Sequence, residues 1–492
     1  MTKPQGRTTT SSFGVGRREG HDSSSFYARF AAPELSTDET VNRPPELLTE
    51  LGGARLYLGD GSKMAELPDN SVALVVTSPP YFVGKDYELA VTESSDVPST
   101  YLDFLDMLGE VFAECRRVLE PGGRIAVNVA NLGRKPYRSL SADVISILQD
   151  DLGLLLRGEV IWEKASSSSG SCAWGSFAKA SNPVLRDLTE RVVIASKGRF
   201  NRALGATKRK KLGLPHRSTI TNDEFVDVTR DLWRIDPESA TRVGHPAPFP
   251  IDLPRRLIDL YTYEGDIVLD PFVGSGTTVV AALRTGRIGV GYDNEPEYLE
   301  LAEERLADEI DRLNRLAAAA KVTTTDLSVE ERQDLRTATA AAESAKVSDI
   351  AARHLSEAGF ADIKTKPKHP SGVVDFDLSA VDHSGRRWWI DIAGGFITPK
   401  PGLQRIDAAW RVLGRAAAAG GSRSEPILVM TASGPKPGSP SDRALRGAGP
   451  GVIHDVIELY DPPAMARLGR YAQAGIGAPR AGFWTEIDLT ST

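Results

Sequence analysis

Two short stretches hold the residues whose types and order suit chemistry. The first is Thr77-Ser78-Pro79-Pro80-Tyr81, reached at the end of the apolar run VALVVT, residues 72–77. Proline has no amide proton and a fixed φ, so a consecutive pair makes a stiff turn without competing donors. A hydroxyl precedes that turn and an aromatic ring follows it. The second stretch is DPFVGSGTT, Asp270 to Thr278, again at the end of a β-branched run. Gly274 and Gly276 let the backbone approach a ligand closely. Thr277 and Thr278 open a helix whose free amides suit a carboxylate or phosphate. Asp293 ends the next apolar run, where it is placed to accept from ribose hydroxyls.

A lone G-x-G pair is weak evidence for nucleotide binding. Two features sharpen it. The third glycine of the dinucleotide fingerprint is absent, because position 279 is Val, and an acid, Asp270, precedes the loop. A carboxylate there would repel a pyrophosphate, but it suits a ligand with an ammonium and a sulfonium. S-adenosyl-L-methionine has both, together with a ribose and a carboxylate.

The proline turn answers a matching problem. The lone pair of an exocyclic amine on a nucleobase is delocalised into the ring, so the nitrogen is planar and a poor nucleophile. Acceptors outside the ring plane hold its N–H groups and favour a pyramidal nitrogen as a methyl arrives, an interaction that strengthens in the transition state. Ser78 Oγ and the Pro79 carbonyl are the candidate acceptors, and Pro79-Pro80 stiffens the turn. Tyr81 is the candidate to stack on a base rotated out of its duplex. No Pro-Cys pair accompanies the turn, so no covalent enzyme intermediate is required.

These groups need a sheet to position them. From about 54 to 300 the chain alternates between strand and helix patterns. Candidate strands are 54–59, 72–77, 124–129, 158–162, 191–196, 266–270 and 287–292. Helical spacing of apolar residues marks 101–119, stopping at Pro121-Gly122-Gly123, and 296–313. The pattern predicts a mostly parallel sheet with helices on both faces, whose strand C-termini form the ligand crevice.

In combination the motifs resemble the DNA amino-methyltransferases of the permuted, β-class order, in which the catalytic motif precedes the cofactor motif. The resemblance covers roughly residues 50–310: Gly59-Asp60, TSPPY (77–81), LEPGGRIAVNV (119–129), VIWEK (160–164), AWGSF (173–177), RVVIASKG (191–198), DLWRI (231–235), GHPAPFP (244–250), DPFVGSGTT (270–278) and GVGYDNEPEY (289–298). It implies a doubly wound, seven-stranded, Rossmann-like α/β methyltransferase sheet in permuted order over residues 46–316. By resemblance Ser78, Pro79, Pro80 and Tyr81 are catalytic. Asp270, Pro271, Phe272, Gly274, Ser275, Gly276, Thr277 and Thr278 would hold the methionine part of S-adenosyl-L-methionine. Asp293 would bind its ribose, Asp60 would lie near its adenine, and His245 to Pro250, with Phe249, would support the pocket. Family members with Ser in the first motif position are more often cytosine-N4 enzymes and those with Asp more often adenine-N6 enzymes, so cytosine N4 is favoured over adenine N6. The implied partners are double-stranded DNA and a cognate restriction endonuclease.

The target-recognition segment is expected at about 165–240, with Trp174 lining the base pocket or packing in the core. Residues 199–217 carry Arg199, Arg202, Lys208, Arg209, Lys210, Lys211 and Arg217 with no acid among them. Lys208, Arg209, Lys210, Lys211 and Arg217 are expected to clamp phosphate beside the base readers. The net charge of −7 hides this patch.

Outside the catalytic part, residues 1–45 read as a mobile N-terminal arm and 317–345 as a helical linker. Residues 346–480 read as a smaller C-terminal α/β domain. That domain weakly resembles a PD-(D/E)xK nuclease, with Asp375 and Asp377 on one strand and Asp391 ending the next. Asp375 and Asp391 are the candidate metal ligands, and Mg²⁺ would be needed only for an active nuclease. The lysine expected two residues after Asp391 is Ala393. An inactive DNA- or partner-binding relic, a working nuclease and an unrelated module remain open, and the working nuclease would make one chain that both cuts and methylates.

The chain has 492 residues, enough for two to four domains, with 41% hydrophobic and 25% charged residues, as in soluble globular proteins. Two cysteines, Cys115 and Cys172, supply no disulfide framework or CxxC metal site. No apolar run reaches membrane-spanning length and the N-terminus lacks a signal-peptide core, so a cytoplasmic location is expected.

Overall fold

The computed structural model describes residues 35–44, 53–81, 100–131, 137–164, 175–185, 187–220, 222–237, 249–319, 347–394, 402–421, 425–485 and 488–489. Trp174, His245, Cys172, residues 1–34 and most of the 317–345 connector lie outside the described residues.

Eight strands build the first sheet: β1 (Ala54–Leu58), β2 (Val72–Thr77), β3 (Leu119–Val129), β4 (Leu155–Glu163), β5 (Thr189–Ser196), β6 (Leu232–Arg234), β7 (Ile267–Asp270) and β8 (Ile288–Asp293). Their order is β1-β8-β7-β2-β3-β5-β4-β6. All seven expected strands form. The eighth, β6, has three residues, too few to read as a strand pattern, and it pairs in parallel with β4 at the sheet edge. The permuted order is visible directly: β7 and β8, last along the chain, insert between β1 and β2.

Strands β1, β8, β7, β2 and β3 run parallel. Strand β5 runs antiparallel between β3 and β4. Strands β4 and β6 share the direction of β3, so the sheet is mostly parallel, as expected, with β5 its one reversed strand among those described. All six residues of β2 are buried, which a central strand covered on both faces requires. On one face Phe104, Leu108, Val111 and Phe112 of the helix Tyr101–Val118 pack on Val75, Ile125 and Val127. That helix is set by a capping box in which Thr100 and Asp103 satisfy each other's backbone amides. On the other face Leu253 and Leu257 of the helix Asp252–Tyr261 and Ala281 of the helix Thr277–Arg284 cover Leu74, Val76 and Val268.

Because β5 runs backwards, its first residues and the residues just after β4 reach the same edge as the C-termini of β2, β3, β7 and β8. Trp162 pairs with Glu190, and Val129 with Arg191. One edge of the sheet thus collects Ser78, Asn128, Lys164, Glu190, Asp270 and Asp293.

The opposite, N-terminal edge gathers the basic segment, and here an expectation is corrected. Arg209 is 1% exposed and its guanidinium donates to Asp266 Oδ1 at 2.7 Å and to Glu120 at 3.3 Å. Arg202 pairs with the same two acids. Arg217 pairs with Glu264 and Lys208 with Glu39. Asp266 immediately precedes β7 and Glu120 lies at the start of β3. Ser78, at the other end of β2, is about 20 Å away, judged from six residues at ~3.3 Å each. The segment therefore lies at the end of the sheet away from Ser78, and Arg209, expected to meet phosphate, is buried against acids instead. Arg202 and Arg209 neutralise carboxylates buried under the sheet, Arg217 and Lys208 pair with acids nearer the surface, and Lys210 and Lys211 stay exposed with no acid paired among the described residues.

Residues 35–44, expected within a mobile arm, are fastened to this same edge. Ser36 N donates to Gly198 O at 2.7 Å, Asn42 N to Asn70 O at 2.9 Å, and Arg43 to Gly265 O at 3.0 Å.

A second sheet follows: β9 (Ala361–Thr365), β10 (Leu378–Val381), β11 (Arg387–Ala393), β12 (Ile427–Thr431) and β13 (Asp455–Glu458), in the order β13-β12-β11-β10-β9. Strands β11, β12 and β13 are parallel. Helices Val347–Glu357 and Pro462–Ala474 cover one face around Trp388 and Tyr471, and Ile406–Ala418 and Pro440–Ala448 cover the other. No helix among the described residues is long and apolar enough to cross a membrane.

Candidate active site

Strands β2 and β7 are neighbours, so the proline turn and the glycine loop leave the sheet side by side. One carboxylate joins them. Thr77 Oγ1 donates to Asp270 Oδ1 at 2.7 Å, Thr278 Oγ1 donates to Asp270 Oδ2 at 2.7 Å, and Phe272 N donates to Oδ1 at 3.2 Å. Asp270 is 1% exposed, and burial pushes its carboxyl up to about 7 against the pull of these donors. The sequence pattern sets this carboxylate against a ligand's ammonium. The structure instead turns both oxygens inward, where they latch the strand that ends in the proline turn to the glycine loop.

The loop itself is held from within. Gly276 caps the helix Thr277–Arg284 at φ 80°, a left-handed conformation that glycine adopts without strain. The missing third glycine has a physical replacement. A Cβ on Gly289 of β8 would sit 2.6 Å from Val279 Cγ1, so the close helix–strand approach is provided by the strand instead of the helix. Ser275 Oγ and Thr277 Oγ1 face Arg305, at 2.8 and 3.3 Å. The hydroxyls of Ser275, Thr277 and Thr278 therefore build the loop and leave the ligand to its backbone.

Asp293 ends β8 beside that loop. Its Oδ2 accepts from Gly274 N at 2.8 Å and its Oδ1 from Glu295 N at 3.0 Å, and burial raises its pKa. Leu58 of β1 pairs with Asp293, and Gly59 N donates to Asp293 O at 2.9 Å, which brings Gly59-Asp60 to the same rim. Asp60 accepts from Ser62 N and Oγ in its own turn. Phe272 and Tyr81 pack against one hydrophobic core, so turn and loop leave the sheet over the same cluster. Phe249 packs with Val76, Leu253 and Ala281 on the other face of the sheet.

Around Ser78 lies a network that the sequence motifs do not announce. Ser78 Oγ is 2.9 Å from Tyr81 OH, which donates to Glu190 Oε2 at 3.0 Å. Lys164 Nζ pairs with Glu190 Oε1 at 2.8 Å. Asn128 Nδ2 faces three oxygens, Glu190 Oε2 at 2.6 Å, Tyr81 OH at 3.2 Å and Ser78 Oγ at 3.4 Å. Asn128 Oδ1 is buried without a hydrogen-bond partner. The opposite amide orientation would set that carbonyl against a carboxylate, so the cost of one idle acceptor is accepted to keep the donors on the network. Pro79 is buried and Pro80 exposed, with Ser78 partly open to the crevice. Asn128, Lys164 and Glu190 lie in or beside motifs noted in the sequence, but their convergence comes from the antiparallel return of β5.

The family model described as DNA methylase matches residues 72–304. The chain is 31% identical over 301 residues to the type II methyltransferase M.Cfr9I of Citrobacter freundii, covering 55% of this chain and 93% of that protein. The chain belongs to the DNA methylase family. It is also 31% identical over 291 residues to the type II beta methyltransferase M.BslI of Bacillus sp. (strain NEB-606), but spans only 30% of that protein's length. A putative DNA modification methylase of Thermus thermophilus, solved complexed with S-adenosyl-L-methionine, is 30% identical. The match covers 52% of this chain and 96% of that one, with a TM-score of 0.40.

The methylase crevice fits the family's methyl donor, S-adenosyl-L-methionine. Asp293 offers acceptors for ribose hydroxyls, the loop 271–276 offers backbone, and Phe272 and Tyr81 offer apolar walls. The described part of the β4–β5 connection, residues 175–185, leaves the sheet at this same edge and exposes Phe177 and Leu185 at 70% and 94%.

In the C-terminal domain, Asp375 and Asp377 both precede β10 rather than lying in it. Asp375 is exposed in a bridge with Lys368, so it is not the partner of Asp391. Asp377 is. Arg415 Nη1 donates to Asp391 Oδ1 at 2.7 Å and stands 3.6 Å from Asp377 Oδ2. Burial, then the neighbouring Asp377, push Asp391 up to about 7. No group of three or more acids, histidines or cysteines that could hold a metal occurs among the described residues.

Proposed function

We propose that this methylase transfers a methyl group from S-adenosyl-L-methionine to the exocyclic amine of a base flipped from duplex DNA, that the base is cytosine at N4, and that the modification protects a restriction site. The carrying observation is the shared Asp270 latch, which fixes the Ser78 turn and the glycine loop in one crevice. When bound, the donor supplies an electrophilic methyl on a sulfonium. Asp293 and the loop backbone hold it. Ser78 Oγ and the Pro79 carbonyl orient the amine's N–H groups, and the closed apolar wall of Tyr81 and Phe272 excludes water. A hydroxyl rather than a carboxylate at position 78 supports cytosine N4 over adenine N6. We assign the target readers to the connection between β4 and β5, whose described residues 175–185 leave the sheet at this edge, rather than to the basic segment 199–217.

Mapping of modified bases in DNA from cells expressing the chain tests this reading. N4-methylcytosine at one short sequence is the expected result. N6-methyladenine would transfer the same mechanism to adenine, and unmodified DNA would end the proposal.

The C-terminal domain we read as a binding module without cleavage activity, because Arg415 places its own cation on the acid pair. Purified protein with Mg²⁺ should leave plasmid DNA intact; nicking abolished by Asp391→Ala would restore the bifunctional reading.

A further inference from the structure

We propose that Glu190 is the terminal proton acceptor of the methyl-transfer reaction, reached from Ser78 through the hydroxyl of Tyr81. This rests on the function proposed above and gives a part in proton transfer to Glu190, which stands behind Ser78 and Tyr81.

The direction of the hydrogen bonds carries the inference. Both oxygens of the Glu190 carboxylate face donors. Oε1 takes Lys164 at 2.8 Å, and Oε2 takes Asn128 Nδ2 and Tyr81 OH at 2.6 and 3.0 Å. A carboxylate only accepts, so the Tyr81 proton points at Glu190. Tyr81 oxygen is then the acceptor for the hydroxyl proton of Ser78, 2.9 Å away. With its proton committed to Tyr81, Ser78 Oγ presents lone pairs to the crevice, where an amine N–H needs an acceptor. Asn128 offers its two N–H groups to this side of the network and no acceptor, which keeps the chain of hydroxyls in this sense. Lys164 anchors its far end.

The same chain disposes of a proton. The amine nitrogen forms a bond to the methyl carbon, and the carbon–sulfur bond breaks with its electron pair going to sulfur, leaving a neutral thioether. The nitrogen, now positive, releases one proton to Ser78 Oγ. Ser78 passes its own proton to Tyr81, and Tyr81 passes its own to Glu190 Oε2. Each oxygen gains one proton and loses one except Glu190, which gains one, so charge and atoms balance. The reverse series resets the site when Glu190 gives its proton to solvent after product leaves.

The test uses the full chain, unmethylated genomic DNA and S-adenosyl-L-methionine labelled in its methyl group, with Ser78→Ala run in parallel. Tyr81→Phe keeps the ring and removes the middle oxygen. It should lower kcat by roughly 10²-fold, with the DNA KM and the calorimetric donor Kd within about threefold of wild type. Glu190→Gln should do the same, and Glu190→Asp should recover part of the loss because it restores an acceptor. Wild-type kcat in Tyr81→Phe, or a Glu190→Gln loss confined to KM, would overturn the relay. Should Glu190→Gln lack a cooperative melt, Tyr81→Phe decides alone. A collapse in Ser78→Ala with an active Tyr81→Phe removes only the relay; full activity in Ser78→Ala removes the function on which it stands.

Discussion

The large sheet buries a carboxylate at each end of β7, Asp270 and Asp266, and it holds the two differently. At the C-terminal edge Asp270 is held by two threonine hydroxyls and an amide, all neutral. At the N-terminal edge Glu120 and Asp266 are held by two guanidinium groups, those of Arg202 and Arg209. The difference follows from what each edge must admit. A guanidinium at Asp270 would stand beside the crevice and repel a sulfonium, whereas hydroxyls fix the carboxylate without adding charge. Under the N-terminal edge, the paired ions join the segment 199–217 to the sheet.

Two substitutions should break this comparison in opposite ways. Ser78→Ala at the C-terminal edge should cut turnover roughly 10²–10³-fold while the melting temperature and donor affinity stay near wild type. Arg209→Ala at the other edge should cost about 3–5 kcal/mol of stability by stranding buried acids, measured by denaturant unfolding, while the folded fraction keeps its specific activity. Next in size, Asp293→Ala should raise the donor Kd roughly 10–100-fold by calorimetry, the loss of hydrogen bonds to a charged group.

A smaller effect concerns pH. Asp270, lifted from 3.8 to about 7, adds its full contribution to stability below the ordinary carboxylate range and loses it as pH rises through about 7. Asparagine does not titrate. The melting temperature of Asp270→Asn, taken relative to wild type, should therefore climb between about pH 5 and pH 8; a constant offset would show that the carboxylate is not desolvated. The smallest change is expected from Lys210→Ala with Lys211→Ala. If both lysines lie away from the DNA, the salt dependence of binding stays within about 0.5 of the wild-type slope, whereas two lost phosphate contacts would lower it by about 1.8.

Much of the catalytic part was legible in sequence because its signals are local. VALVVT before two prolines reads as a buried strand ending in a turn, and DPFVGSGTT reads as a strand, loop and helix start. Residues 199–217 misled because charge counted along a chain does not reveal partners. The acids that bury Arg209 lie 57 and 89 positions away. Glu190 and Lys164 were missed for the same reason, since only the pairing of β4 with β5 sets them near Asn128 and Tyr81. Val279 read as a departure from the fingerprint because its compensation, Gly289, sits on a different element.

The Asp270 latch also has a consequence for engineering. A single carboxylate ties Thr77 to Thr278, so the groups that handle the amine and those that handle the donor form one chassis. Of the connection between β4 and β5, residues 175–185 are described, and they bond to one another, Gly175 pairing with Pro183 and Ser176 N donating to Asn182 O at 2.9 Å. If that connection carries the target readers proposed above, exchanging it with Lys164 and Glu190 retained should change which DNA sequence is marked and leave the rate of methyl transfer unchanged.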